Sequence, residues 1–333
     1  MADKPKIAFY WCASCGGCEE AVVDLAEDIL SVVSAVDIVL WPVAMDFKKA
    51  DIEAMPDGSI AASLINGAIR TSEQEEFVRL LRKKSGAVIS FGSCACTGGI
   101  PSLANQFEKE RILSYVYEQA PSVINELKTR PQLESKGDEG HSLELPAFRE
   151  MVRPLDEVIK VDYYLPGCPP TPKLIKEAVT ALLTGKLPPA GSTLAPDTAL
   201  CEECPRKDSK PADLAISEFK MPSGAVIDPE KCMLAQGFIC MGPATRGGCE
   251  ALCIKGNMPC TGCFGPTSRV KDQGAKMLSC VASSAAGKED AEIDKTLAGI
   301  PDPVGTFYRY GLAKCRLRGK ADRVPGKGVR QKA

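Results

Sequence analysis

Sixteen cysteines set against a single histidine constrain this chain more than any other feature. They are clustered, eight of them within residues 201–266. In a secreted protein such a count would indicate disulfides. Here residues 1–10 carry no basic segment followed by an apolar stretch and a small-residue cleavage site, and no twin-arginine leader, so a cytoplasmic protein is expected. Clustered cysteines in a long chain of that kind bind metal or do redox chemistry. The lone histidine, His141, lies in a polar stretch, which nearly excludes mixed Cys/His zinc sites. Thiolate-only ligation suits iron–sulfur clusters or Cys-only zinc.

The rest of the composition excludes more than it suggests. Hydrophobic residues make up 44% and charged residues 25% of 333, enough for a sizeable core in one large or two ordinary domains. A net charge of -2 gives no reason to invoke nucleic acid. No apolar stretch is long enough to span a bilayer, so no membrane association is expected.

The first half alternates between two periodicities. Residues 6–11, 36–41, 87–91 and 161–165 read as strands, and residues 60–69 contain another. Residues 19–30, 73–84 and 171–183 carry apolar side chains at helical spacing. Strands alternating with helices predict crossover units and a mainly parallel sheet, a flavodoxin-like α/β domain over residues 1–187. Residues 126–150 are polar and irregular, as an insertion loop would be. Residues 187–197, with Pro188, Pro189, Gly191 and Pro196, read as a linker. Beyond them the periodicity disappears. Residues 198–313 are expected to form an irregular iron–sulfur domain, its cysteine-rich part organised by bound metal rather than by a conventional core. Residues 314–333 hold eight Lys or Arg and one Asp, a basic tail that reads as solvated and flexible, with a docking arm for an acidic partner as the sharper reading.

Four cysteines of the first domain share a placement. Cys15 and Cys18 follow the first strand, Cys94 the fourth and Cys168 the fifth. Open parallel sheets bind ligands at the carboxyl ends of their strands, so three distant loops would bring four thiolates to one edge. Glycines in those loops allow close backbone approach. The bland alternative is a set of unrelated core cysteines. Cys12-x-x-Cys15-x-x-Cys18 resembles half of a bacterial ferredoxin run, but Glu19-Glu20-Ala21-Val22 does not continue it. Cys12 and Cys96 therefore read as structural thiols. In the second domain Cys249, Cys253, Cys260 and Cys263 are close enough in sequence for one four-ligand site, leaving Cys201, Cys204, Cys232 and Cys240 for another. Spacing alone does not prove that partition, and a pair of four-cysteine zinc sites is its rival. Residues 242–248 are not followed by Lys-Ser/Thr, no Gly-x-Gly-x-x-Gly follows the first strand, and one histidine supports no triad, so neither nucleotide nor flavin is expected.

Taken together the motifs are familiar. Cys15-Gly16-Gly17-Cys18-Glu19, Gly92-Ser93-Cys94-Ala95 and Pro166-Gly167-Cys168-Pro169-Pro170 resemble the proximal-cluster motifs of [NiFe]-hydrogenase small subunits, with related motifs in a small subunit of respiratory complex I. The stretch from Asn66 to Glu73, the run from Ile239 to Cys249 and Met258-Pro259-Cys260-Thr261-Gly262-Cys263-Phe264-Gly265-Pro266 resemble the small (gamma) subunit of the cytoplasmic methyl-viologen-reducing, factor-420-non-reducing type, associated with heterodisulfide reductase. The resemblance covers roughly residues 5–270.

The resemblance implies that Cys15, Cys18, Cys94 and Cys168 hold a proximal [4Fe-4S] cluster. Cys249, Cys253, Cys260 and Cys263 would hold a medial one, and Cys201, Cys204, Cys232 and Cys240 a distal one. The periplasmic relatives are similar to a pattern with histidine at the position of Cys201 and a non-ligand at that of Cys253. Cysteine at both positions implies three all-cysteine clusters. Cys12, Cys96, Cys280 and Cys315 have no ligand role in that pattern. The resemblance implies that the [NiFe] site lies in a partner large subunit, whose ligands come from Cys-x-x-Cys pairs near both ends; near its C-terminus this chain has only the lone Cys315. The other partners implied are a delta-type [2Fe-2S] subunit and heterodisulfide reductase. Two further readings stay open: a relay subunit of a complex-I-like oxidoreductase without hydrogen chemistry, and a zinc-stabilised scaffold.

Overall fold

The computed structural model describes residues 4–137, 140–287 and 289–316. The basic tail reading, residues 314–333, falls mostly outside them. Six parallel strands form the central sheet: β1 (Lys6–Trp11), β2 (Asp37–Leu40), β3 (Ile60–Asn66), β4 (Ser85–Phe91), β5 (Tyr163–Leu165) and β6 (Ser192–Thr193). Their order is β6-β5-β4-β3-β1-β2. That is the flavodoxin-like order extended by one edge strand, with its switch point between β1 and β3. The expected α/β open parallel sheet is present.

Alternation along the strands builds two cores. Ile7 and Phe9 of β1, with Leu64, Ile89 and Phe91, pack on one face against α1 (Gly17–Val23) and α5 (Pro172–Leu183). Ala8, Ile65 and Val88 face the other way, against Phe77, Val78 and Leu81 of α3 (Ser72–Lys84). The start of α3 is fixed locally. The Gln74 N–H donates to Thr71 Oγ1 at 3.3 Å while Gln74 Oε1 accepts from the Thr71 N–H at 3.1 Å, a reciprocal cap. Acidic Glu73 and Glu75 in its first turn and Arg82, Lys83 and Lys84 in its last complement the helix dipole.

Several elements depart from expectation. The helix expected over residues 19–30 is broken: α1 stops at Val23, Ala26 adopts φ 51°, and α2 (Asp28–Ala35) restarts. The strand expected within 60–69 is present as β3, and Ile69–Thr71 just beyond it pairs antiparallel with Phe148–Arg153. The polar stretch 126–150 contains a short hairpin, Glu134–Lys136 with Ser142–Glu144. The stretch read as a linker carries β6, which joins β5 at the sheet edge.

The second half does build a core. Leu200, Ile216, Phe219, Met233, Phe238 and Ile254 are buried with Met277 and Val281 of α6 (Gln273–Ser284) and with Phe307 and Leu312 further on. Residues 201–266 lack apolar runs, and the helical segments that follow supply the missing apolar surface.

Candidate iron–sulfur sites

At the carboxyl edge of the sheet, β1, β4 and β5 each end in a cysteine-bearing loop. The first is pinned to β3. The Cys12 N–H donates to Asn66 O at 2.8 Å, and Ser14 Oγ donates to Asn66 Oδ1 at 2.8 Å. Asn66 Nδ2 donates to Glu19 Oε1 at 2.9 Å, and burial raises the Glu19 carboxyl above the usual range. The loop after β4 forms α4 (Gly92–Thr97), which opens on Gly92 at φ 83°. A Cβ there would run into the Cys18 sulfur. Glycine at 92 is thus required by backbone conformation and by the thiol beside it.

The four thiols of this edge face one another. Burial raises the Cys18 thiol most, and its neighbours Cys94, Cys168, Cys96 and Cys15 raise it further. Cys94 is pushed up to about 12 by burial first and then by Cys168 and Cys15. Cys15 and Cys168 are exposed, so the site opens outward. Cys96 is buried behind it, with its thiol 3.4 Å from Ser90 O. Cys12 is buried in the core on the α3 side of the sheet.

In the second half, Cys201, Cys204, Cys232 and Cys240 line one cavity together with Leu200, Arg206, Lys210 and Gly242. A Cβ on Gly242 would lie 3.3 Å from the Cys201 sulfur and 3.6 Å from that of Cys240. Burial, then the neighbouring thiols of Cys240 and Cys204, push Cys201 up to about 12. The third group is looser. Cys263 neighbours both Cys249 and Cys253, and Cys260 neighbours Cys263 on one side and Cys240 on the other. Cys253 is exposed at the start of the short helix Leu252–Lys255. Cys280 and Cys315 only pack on the second core.

The three groups lie in file. Ser93 Oγ, next to Cys94, donates to Cys263 O, joining the sheet-edge group to Cys249, Cys253, Cys260 and Cys263. Cys260 O accepts from the Met241 N–H at 2.9 Å, next to Cys240 of the cavity group.

These residues fit iron–sulfur clusters. Buried, mutually repelling thiols favour the protonated state, and bound iron would reverse that by supplying positive charge. Glycines stand where a side chain would occupy space beside the sulfurs. Among the described residues, no three Cys, His, Asp or Glu close round a point as they would for a single ion.

Sequence reasoning missed two buried arginines that organise these loops. The Arg246 guanidinium ties residues 195–197 to the second half. It pairs with Asp197 at 2.9 Å and donates to Pro196 O at 2.9 Å and Pro266 O at 3.3 Å. Arg206 donates to Ile254 O at 3.0 Å and Asn257 Oδ1 at 2.8 Å. Arg206 stands two residues after Cys204, and Arg246 lies between Cys240 and Cys249. Position within the cysteine runs was the only available signal.

Three loops bring thiols together at one edge of an α/β sheet, and the known proteins similar to this chain are oxidoreductase subunits. The model of the NADH ubiquinone oxidoreductase 20 Kd subunit family matches residues 15–182. The iron-sulfur subunit of the F420-non-reducing hydrogenase of Archaeoglobus profundus is 38% identical over 95% of this chain and 98% of its own. The corresponding F420-non-reducing hydrogenase subunit of Methanothermobacter thermautotrophicus is 40% identical over 94% and 96%. The fold is also similar to that of the recombinant [NiFeSe] hydrogenase from Desulfovibrio vulgaris Hildenborough. That match has a TM-score of 0.50 and 17% identity, over 80% of this chain and 95% of that one. The chain belongs to the family of F420-non-reducing hydrogenase iron-sulfur subunits, and is an electron-transfer small subunit of a hydrogenase without the catalytic site.

Proposed function

We propose that this subunit relays electrons from hydrogen oxidation, at the [NiFe] site of a partner large subunit, through three [4Fe-4S] clusters. The acceptor is a downstream iron–sulfur or flavin protein such as a heterodisulfide reductase complex, with a delta-type [2Fe-2S] subunit between them. Each cluster, when bound, would supply one-electron transfer. Cys15, Cys18, Cys94 and Cys168 hold the proximal cluster; Cys249, Cys253, Cys260 and Cys263 the medial; Cys201, Cys204, Cys232 and Cys240 the distal. The sheet domain, residues 1–187, carries the first, and residues 198–313 the other two.

The observation that carries this reading is the file of thiol-bearing loops, joined from Ser93 beside Cys94 to Cys263 O and from Met241 beside Cys240 to Cys260 O. Exposed Cys15, Cys168 and Trp11 at the sheet edge suit a partner that docks there. Among the described residues no helix is long and apolar enough to cross a membrane. All sixteen thiols are free of disulfides, which suits a reducing compartment, and the cytoplasm is the proposed location.

Iron and acid-labile sulfide analysis of anaerobically purified protein tests the cluster count. Twelve ligating thiols correspond to about twelve irons and twelve sulfides per chain, bleached by dithionite. Stoichiometric zinc with little iron would contradict the proposal and favour the scaffold reading.

A further inference from the structure

One short loop carries opposite charges to two of these sites. Glu203 lies between Cys201 and Cys204, yet its carboxylate turns away toward the medial group. It accepts from the Gly248 N–H at 3.0 and 2.9 Å and lies 3.8 Å from the Cys249 sulfur.

Three residues on, Arg206 does the reverse. Its side chain is 6% exposed and lines the cavity of Cys201, Cys204, Cys232 and Cys240. Every acceptor of its guanidinium is neutral: the carbonyls of Asp228, Lys231 and Ile254, the Asn257 amide and the Met233 sulfur. Asp228 offers Arg206 its carbonyl, while its carboxylate pairs with Lys231 at 3.1 Å and also feels the Arg206 charge. Lys210 lines the same cavity. A buried guanidinium needs a counter-charge. Four thiolates in the adjoining cavity would add to the counter-charge that Asp228 supplies.

We propose that this loop gives the last internal electron step its direction by fixed charge. Glu203 disfavours an electron at the medial site, and Arg206 with Lys210 favours one at the distal site. This rests on the three-cluster reading. Negative charge beside a cluster opposes its reduction and positive charge assists it. Both charges therefore tilt the step from medial to distal downhill. Arg206 is buried and acts strongly, whereas Glu203 is exposed and solvent-screened, so its effect is smaller.

EPR-monitored redox titration of the whole hydrogenase complex tests the proposal, with iron analysis of each sample. In the native protein the medial cluster should titrate below the distal one. Glu203→Gln should raise the medial potential and shift the electron partition toward it about threefold. Arg206→Gln should lower the distal potential by a factor of about ten in partition, about 59 mV for one electron. Arg206→Lys keeps the charge and should stay within about threefold of the native partition. Full iron with an unmoved medial potential in Glu203→Gln overturns the proposal. So do equal distal shifts in Arg206→Gln and Arg206→Lys, which would trace the effect to hydrogen bonding rather than charge. If the Arg206 variants lose iron, Glu203→Gln decides alone. Native iron well below about twelve would instead overturn the three-cluster reading itself.

Discussion

Two single residues carry sharp predictions. Gly92 stands at φ 83° against the Cys18 sulfur. Gly92→Ala should cost at least about 1–2 kcal/mol in backbone strain and displace the thiol. Iron should then fall from about twelve to about eight per chain while the other two clusters persist. Iron analysis with EPR of the remaining clusters reads this directly, and full iron would show that the thiol can move aside. Cys253 lies in the first turn of the helix Leu252–Lys255, where proline is tolerated. Cys253→Pro should convert the medial cluster to a three-iron form with a changed EPR signature and a higher potential. Four irons retained there would mean another thiol serves as ligand. At this scale the cysteines were legible because spacing and flanking glycines repeat in three loops. Arg206 and Arg246 were not: a single arginine has no period, and its burial follows from carbonyls contributed by distant loops.

The elements divide in the same way. Strands β1 and β4 and helix α3 announce themselves through apolar periodicity and a capping sequence. Strand β6 could not, since two residues, Ser192 and Thr193, give no pattern; only the edge of β5 makes them a strand. The break between α1 and α2 was hidden because apolar spacing continues through Ala26, whose positive φ no spacing reports. The second core was hidden too, its members being spread from Leu200 to Leu312. Helix α6 matters most there, and its Met277 is 0% exposed. Met277→Ala should lower stability by about 2–5 kcal/mol through the cavity it leaves. Differential scanning calorimetry of the holoprotein checks this. If metal alone organises this half, the melting temperature will not move.

At the scale of the molecule, the sheet and the cysteine-rich half meet along the edge where the strands end. Ser93 Oγ donates to Cys263 O, and Thr97 Oγ1 donates to Tyr310 O at 2.6 Å. Lys314 Nζ pairs with Asp156 at 2.5 Å. These contacts hold the sheet-edge thiols beside those of the second half, which a relay requires and a zinc scaffold does not. The central claim is that electrons enter this chain at the sheet edge and leave through the second half. The direct test is Cys94→Ala in the assembled complex, assayed for both hydrogen-driven reduction of an electron acceptor and hydrogen–deuterium exchange. The account predicts that acceptor reduction is abolished while exchange persists, because exchange needs no electron exit. Near-native acceptor reduction by that assembled variant would contradict it.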